Sequence, residues 1–253
     1  MSGKAIILAS FGTSRNEARA KTIKVLEDEI RQAYACCDLF TVFTSPTIRR
    51  ILKTRDNIEY HDLETMFGIL KDRGYEDIIC QPTYIIKGFE YDNMKLTAEK
   101  YPGDFNSVKV GLPLLSDIDD YNSLIDALIA GANAEEAYLL VGHGTEHRSD
   151  LTYSVLEYKY RERGFANVYI STIEGSQSIE NTLKKLSSRG YKTVNLIPLM
   201  FVAGEHAVND IAGDGEDSYK NVLKRNGYSV NIVLKGLGEY EMIRKIYLNH
   251  IKN

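Results

Sequence analysis

The sequence predicts an α/β fold made of two similar halves, each with a parallel sheet that helices cover on both faces. Short, continuously apolar runs alternate with amphipathic stretches along the 253 residues, a pattern typical of parallel strands separated by helices. In addition, one block of sequence occurs twice, the second copy lying 116 residues after the first (from Leu70 to Leu186). An offset of nearly half the chain indicates two similar domains, whereas offsets of twenty to fifty residues indicate a solenoid.

Six identities at this constant offset define the repeat. They pair Leu70 with Leu186, Arg73 with Arg189, Gly74 with Gly190, Tyr75 with Tyr191, Pro82 with Pro198 and Gly88 with Gly204. After the last glycine the copies differ, because the first continues with Phe89 and Glu90 and the second with Glu205 and His206. Each copy of the block therefore ends with an ionisable side chain that can accept a proton or bind a metal ion, Glu90 in the first and His206 in the second.

The first half begins with the apolar run 5–9, a buried strand that Gly12-Thr13-Ser14 closes. The polar stretch 17–34, with apolar residues at helical spacing, then predicts one helix. Three strands and three further helices follow: strands 39–43, 78–84 and 108–112, and helices 47–53, 63–73 and 92–100.

The second half repeats this order, and Gly142-His143-Gly144-Thr145 closes its first strand as Phe11-Gly12-Thr13 follows the first strand of the chain. The predicted strands are 137–141, 168–172, 194–200 and 230–234, and the predicted helices are 121–130, 151–164, 178–189, 218–226 and 239 to the C-terminus. We expect an N-terminal domain at 1–117 and a C-terminal domain with the metal ligands at 118–238. The last helix, 239–253, is expected to pack back across the domains.

Composition excludes several classes of function. A hydrophobic content of 43 % and a charged content of 26 % are typical of a soluble globular protein. The net charge of −4 argues against nucleic acid or an anionic membrane as a partner. No apolar run reaches the length of a membrane span, and the N-terminal run is too short for a signal peptide. We expect a cytoplasmic protein; the sequence leaves open whether it forms a homo-oligomer.

Three side chains of metal-ligating type each follow a predicted strand of the second half: His143, Glu174 and His206. Ligands of open parallel sheets bind beyond the carboxyl ends of the strands, so these side chains are expected at one edge of one sheet. Two neutral imidazoles and a carboxylate suit a divalent ion such as Co²⁺, Ni²⁺, Fe²⁺ or Zn²⁺ and leave coordination positions open. The imidazoles can also accept protons, and Glu90, at the matching edge of the first half, can take or relay one.

Motifs of competing chemistries are absent from the sequence: it has no G-x-S-x-G elbow, no Walker loop and no C-x-x-C pair. A lone histidine is usually a cap or a surface residue, and His61 and His250 are interpreted in that way. His143 and His206 differ because they occupy paired positions of the repeat. Asp210 either orients His206 or begins a helix, and the sequence does not decide between these roles.

Four segments carry a resemblance to a known family: residues 10–14, 111–115, 142–144 and 198–210. The chain resembles the anaerobic cobalt chelatases of cobalamin biosynthesis, sirohydrochlorin cobaltochelatases that belong to the class II tetrapyrrole chelatases. The likeness extends from the first strand to the segment 236–239. Its longest motif, 198–210, is specific, whereas the short glycine motifs alone are not.

The resemblance implies two domains, each a parallel four-stranded sheet flanked by helices, with the active site and a bound tetrapyrrole in the cleft between them. By position, the family's metal histidines fall on His143 and His206 and its metal-binding glutamate on Glu174. Its active-site glutamate falls on Glu90, so His143, Glu90 and His206 are the implied catalytic residues. The implied reaction is insertion of Co²⁺ into sirohydrochlorin, with the ion as substrate and without ATP or an organic cofactor.

Two alternatives stay open at the level of the sequence. Imidazole and carboxylate ligands also accept nickel and iron, so the metal and the macrocycle, sirohydrochlorin or a porphyrin, are not fixed. A protein of another class, a two-lobed binder of metal or tetrapyrrole without catalysis, would share the two α/β halves, although such proteins are usually exported. Four cationic residues near strand ends are candidates to bind the carboxylates of a tetrapyrrole: Arg15, Arg19, Lys87 and Arg148.

Overall fold

The computed structural model describes residues 3–101, 103–129 and 131–252. The chain divides into two units: the first comprises the residues up to Ser116 and the C-terminal segment from Glu241, and the second comprises Asp117–Tyr240. Each unit contains one four-stranded sheet with only parallel pairings among the described residues. The α/β class and the two parallel four-stranded sheets flanked by helices are therefore confirmed.

Strands and helices alternate along the chain. The strands are β1 (Lys4–Ser10), β2 (Asp38–Phe43), β3 (Asp77–Pro82), β4 (Ser107–Val110), β5 (Ala137–Gly142), β6 (Val168–Thr172), β7 (Thr193–Pro198) and β8 (Ser229–Ile232). The helices are α1 (Asn16–Lys21), α2 (Ile23–Ala33), α3 (Pro46–Asp56), α4 (Leu63–Asp72), α5 (Phe89–Ala98), α6 (Ile118–Ile129), α7 (Leu151–Glu162), α8 (Ile179–Ser187), α9 (Tyr219–Arg225) and α10 (Glu241–Lys252). Two 3₁₀ turns, Arg148–Asp150 and Leu237–Glu239, and a π-helical turn, Ala207–Ile211, complete the described elements.

The two sheets share one topology. The strand order is β2-β1-β3-β4 in the first unit and β6-β5-β7-β8 in the second. The sequence repeat therefore places its apolar run on corresponding central strands, β3 and β7. Its glycines also correspond, because Gly74 after α4 and Gly190 after α8 both have a φ angle of +74°.

Each sheet has helices on both faces, as the continuous apolar strands predicted. In β1, Ile7 packs in a cluster with Phe67 of α4 and Met94 of α5. Its neighbours Ile6 and Leu8 point to the opposite face because side chains alternate along a strand, and both are completely buried. In the second unit, a corresponding cluster joins strands β5 to β7 to helices α8 and α9.

Helix α10 belongs to the first unit, where it contacts α2 and β3. Arg244 forms an ion pair of 2.8 Å with Glu29 of α2. The Tyr247 hydroxyl donates to the carbonyl oxygen of Thr83, just after β3. The predicted helix start at 239 is wrong, because 237–239 forms a 3₁₀ turn; residue 253 lies outside the described residues. The predicted packing of this helix across the domains stays a prediction.

The single helix predicted at 17–34 is wrong, because the chain forms two helices that meet at Thr22. Thr22 has φ −124° and ψ −82°, far from helical values. Its buried hydroxyl donates to the carbonyl oxygen of Ala18 (2.6 Å), a side-chain bond that replaces backbone bonding and bends helices.

Several other predicted boundaries are wrong by two or three residues. Strands β3 and β7 end at Pro82 and Pro198 instead of continuing to 84 and 200. Helix α5 begins at Phe89 instead of 92, which places Glu90 in its first turn. Helix α6 begins at Ile118 instead of 121, and residue 130, its predicted end, lies outside the described residues.

Among the described residues, every helix is too short or too polar to cross a lipid bilayer.

Replacement of Gly74 or Gly190 by alanine should lower the free energy of unfolding by about 1–2 kcal/mol, because an L-residue is strained at positive φ. No atom lies within 4 Å of a Cβ built at either position, so the loss of stability reports backbone strain without a steric clash. Denaturant unfolding measures it. Gly68, inside α4 with equally open surroundings but no positive φ, is the matched control, and G68A should stabilise by about 0.5–1 kcal/mol. A G74A or G190A variant as stable as the parent would contradict this account.

Candidate functional site

The ends of β5 and β6 place His143 beside Glu174. In the parallel ladder Gly142 is paired with Thr172, and hydrogen bonding continues beyond the strands. The Ile173 N–H donates to the Gly142 carbonyl oxygen (3.1 Å), and the Glu174 N–H donates to the His143 carbonyl oxygen (2.8 Å). We call residues 143–145 the His143 loop and residues 173–177 the Glu174 loop. Backbone bonds thus join the first residues of the two loops.

The two loops approach each other more closely than side chains would allow. Gly144 has φ +81°, and a Cβ built on it would lie 2.4 Å from the Gly175 nitrogen. A Cβ built on Gly175 would lie 2.6 Å from Thr172 Oγ1 in its own segment. Glycine is therefore required at 144 if the two loops are to stay in contact, and Gly175 leaves no room for a side chain either.

His206 lies after β7, the other neighbour of β5. The segment after β7 stays attached to the sheet, because the Leu199 N–H donates to the Val141 carbonyl oxygen (2.7 Å). His206 then stands directly before the π-helical turn Ala207–Ile211. Its ring contacts that of His143 edge to face, with ring centroids 4.8 Å apart. The structure thus brings together the two histidines, which are 63 residues apart in sequence (from 143 to 206).

Hydrogen bonds orient both imidazoles. Nδ1 of His206 lies 2.7 Å from Oδ2 of Asp210, and Nδ1 of His143 lies 3.1 Å from the Gly144 carbonyl oxygen. A carboxylate and a carbonyl oxygen only accept hydrogen bonds, so Nδ1 carries the proton in each ring. The Nε2 lone pairs are then available to a metal ion, the tautomer found in carboxylate–histidine–metal sites. The sequence left open whether Asp210 orients His206 or begins a helix. In the structure its carboxylate contacts His206.

Glu174 is the most exposed member of the predicted set. Its side chain is 62 % exposed, against 43 % for His143 and 44 % for His206. Its Oε2 lies 3.8 Å from His143 Nδ1, beyond hydrogen-bond distance. Among the described residues, no choice of one ligand atom from each of the three places all three within 4.8 Å of one another. A single ion held by all three therefore requires a rotamer change in an exposed side chain.

Glu90 lies in the first unit and is exposed in the first turn of α5. It follows β3 at the carboxyl edge of the first sheet, as predicted. Its negative charge adds to burial, the main cause, in raising the pKa of the Tyr84 hydroxyl. Of the four cationic candidates, Arg15, Arg19 and Lys87 belong to the first unit and Arg148 to the second, on the 3₁₀ turn before α7. Their predicted contacts with substrate carboxylates stay predictions.

Asp150 is a buried carboxylate between the His143 loop and the Glu174 loop, and it is not among the residues predicted from the sequence. It accepts hydrogen bonds from backbone N–H groups of both loops. An aspartate directly before a helix is ordinarily a cap of that helix, so the sequence offered no reason to connect it with the histidines.

Comparisons with known proteins identify the family to which this chain belongs. A sequence profile of the cobalt chelatase (CbiK) family matches residues 4–253. The chain belongs to this family. The resemblance stated from the sequence motifs is therefore confirmed for nearly the whole chain.

Curated relatives within the cobalt chelatase family cover almost the same length. The sirohydrochlorin cobaltochelatase of Salmonella typhimurium (strain LT2) is 32 % identical over 98 % of this chain and 95 % of the relative. The sirohydrochlorin cobaltochelatase CbiKC of Nitratidesulfovibrio vulgaris (strain Hildenborough) is 31 % identical over 99 % of this chain and 90 % of the relative.

Among solved structures, SirB from Bacillus subtilis, determined with Fe³⁺, has a similar fold. The TM-score is 0.68 at 14 % sequence identity, over 98 % of this chain and 94 % of that one. At this identity the likeness concerns the fold alone.

Replacement of Gly144 by alanine should cost more stability than replacement of Gly190, although both residues have positive φ. A Cβ at 190 meets open space, whereas one at 144 meets the backbone of the Glu174 loop. We expect G144A to lose roughly 1–3 kcal/mol beyond the loss in G190A, as overpacking does. Chemical denaturation of the two variants side by side checks this ranking. Equal losses would mean that the loops separate freely.

Proposed function

We propose that this protein inserts Co²⁺ into sirohydrochlorin without ATP. The observation that carries the proposal is the contact between His143 and His206, with ring centroids 4.8 Å apart, in a chain of the cobalt chelatase family. Relatives of 31–32 % identity over nearly the full chain bear the name sirohydrochlorin cobaltochelatase. The divalent ion and the tetrapyrrole are both substrates in this reaction.

The proposed ion ligands are Nε2 of His143, Nε2 of His206 and the carboxylate of Glu174. Co²⁺ accepts this combination of nitrogen and oxygen donors. Three protein ligands leave positions open for the nitrogens of the incoming macrocycle, as a site that transfers its ion needs. The exposure of both imidazoles supports the proposal, because the macrocycle must reach the ion from outside.

Insertion replaces two pyrrole N–H protons with bonds to the metal. The ion enters as M²⁺, two protons leave the macrocycle, and the two remaining ring nitrogens donate lone pairs. While the ion occupies Nε2 of His143 and His206, these lone pairs cannot take a proton. We therefore assign the first proton to the Glu90 carboxylate and the second to an imidazole released as the ion moves to the macrocycle.

The experiment that tests the function is a time course of sirohydrochlorin absorbance with Co²⁺, with and without the protein. A chelatase accelerates conversion to the metallated spectrum over many turnovers. A two-lobed binder without catalysis converts no more than one equivalent or none, and that result would refute the proposal. The same assay with Ni²⁺ and Fe²⁺ identifies the metal, and faster turnover with either ion would replace cobalt in the assignment.

Replacement of His206 by alanine should abolish Co²⁺ insertion while leaving the free energy of unfolding nearly unchanged, because the ring is half-exposed and lies outside the core. The measurement is initial rate in the absorbance assay, combined with a denaturant unfolding curve. His61, in the first unit, supplies the matched control, and H61A should retain the parental rate. Undiminished insertion by H206A would remove the histidine from the mechanism.

Replacement of Glu90 by glutamine should lower kcat by about 10²–10⁴-fold, the usual contribution of a positioned acid–base group. Co²⁺ binding in the absence of macrocycle should stay at the parental affinity, because Glu90 is proposed as a proton acceptor and not as a ligand. Titration of the variant with Co²⁺ and its turnover under saturating substrates separate these roles. A variant with parental kcat would assign both protons to other groups.

A further inference from the structure

Asp150 does not cap helix α7 with its side chain, although its position in the sequence predicts that role. It stands directly before α7, where an aspartate normally accepts a hydrogen bond from the first turn of the helix. Its side chain makes no such bond, because the 3₁₀ turn Arg148–Asp150 leads straight into α7 and gives Asp150 a helical backbone (φ −56°, ψ −28°). The side chain is nevertheless buried, with 6 % of the residue exposed. Its carboxylate must therefore find other donors.

Those donors belong to the two loops that carry the predicted ligands. Oδ1 accepts from the N–H of Thr145 in the His143 loop (3.1 Å). Oδ2 accepts from the N–H of Ser176 (2.8 Å) and from its hydroxyl (2.6 Å), both in the Glu174 loop. One buried carboxylate thus joins the loops through its two oxygens, with three donors from two segments.

The Glu174 loop is also closed at its own end and fitted tightly to Asp150. The Gln177 carbonyl oxygen accepts from the Thr172 N–H and from the Ser171 hydroxyl, both at 2.7 Å. A Cβ built on Gly175 would lie only 2.3 Å from Asp150 Oδ1. These contacts leave the loop little freedom to move away from the carboxylate.

We propose that Asp150 is the positioning residue of the metal site. It holds the His143 loop against the Glu174 loop and thereby sets the separation of His143 and Glu174 before an ion binds. Asp150 itself touches neither the ion nor the macrocycle. The inference rests on the proposed function insofar as those two side chains are ligands of the transferred ion.

Asparagine is the appropriate substitution because it keeps the volume of aspartate but has one accepting oxygen instead of two. In D150N, the N–H group of either Thr145 or Ser176 loses its acceptor, because it then faces the amide NH₂, which is itself a donor. Loss of a group that orients a metal ligand without touching the ion typically lowers metal affinity about 10–100-fold. We therefore expect D150N to raise the dissociation constant and the KM for Co²⁺ by roughly 10–100-fold. The KM for sirohydrochlorin should stay unchanged.

Two further variants make the test specific. S176A removes one of the three donors and should raise the Co²⁺ dissociation constant by a smaller factor than D150N. Glu157 provides the control: it is a buried carboxylate on α7 that accepts from the Ile170 N–H (3.1 Å) and pairs with Lys185 (2.8 Å), away from both loops. E157Q should lower stability without changing either Co²⁺ constant.

The measurements are a titration of each variant with Co²⁺ alone, followed by steady-state kinetics with both substrates varied. A parental Co²⁺ constant in D150N overturns the inference, as does an equal rise of both KM values, which indicates general damage to the fold. If D150N does not fold, a parental Co²⁺ constant in S176A overturns it. Failure of the parent protein to insert cobalt while D150N still binds Co²⁺ more weakly refutes the proposed function and retains the positioning role.

Discussion

The parallel pairing of β5 with β6 and β7 determines where the candidate ligands lie. Because parallel strands run in one direction, the segments that follow them leave the sheet at a common edge. Hydrogen bonding continues past the strand ends and places the Glu174 N–H on the His143 carbonyl oxygen. A slip of one residue in this pairing would turn every side chain of the slipped strand to the other face of the sheet. The register of the backbone thus brings the candidate ligands to one edge of the sheet, and side-chain contacts then set their separation.

The same scaffold occurs twice in the chain with different chemistry at this edge. Phe11 stands in the first unit where His143 stands in the second, and Glu90 stands where His206 does. The backbone next to these positions is alike, since Gly12 and Gly144 both have positive φ. Phenylalanine neither binds an ion nor accepts a proton, and a lone carboxylate is a poor ligand set. The repeat therefore explains the architecture, and the divergence of its copies explains why one unit carries the proposed ligands and the other a proposed base.

Most of the fold could be predicted because buried parallel strands are continuously apolar and the repeat reveals the division of the chain. The break at Thr22 could not, since apolar periodicity continues across it and threonine is compatible with a helix. The proximity of His206 to His143 followed from the position of both residues after strands of one parallel sheet. The contacts of Asp150 could not be read from sequence, because its partners at Thr145 and Ser176 include backbone N–H groups, which every residue except proline possesses. Bonds of this kind become visible only when the loops are seen side by side.

The half-exposed state of the two histidines also has a consequence for timing. At a turnover number typical of enzymes, about 10 s⁻¹, a complete cycle lasts roughly a tenth of a second. Within that interval the ion must lose coordinated water, bind to the protein and transfer to the macrocycle. A deeply buried set of ligands would release the ion too slowly for such a cycle, as storage and structural sites do. As the proposed ligands, imidazoles that remain in contact with solvent favour a short residence time of the ion, which suits transfer to the macrocycle and not storage.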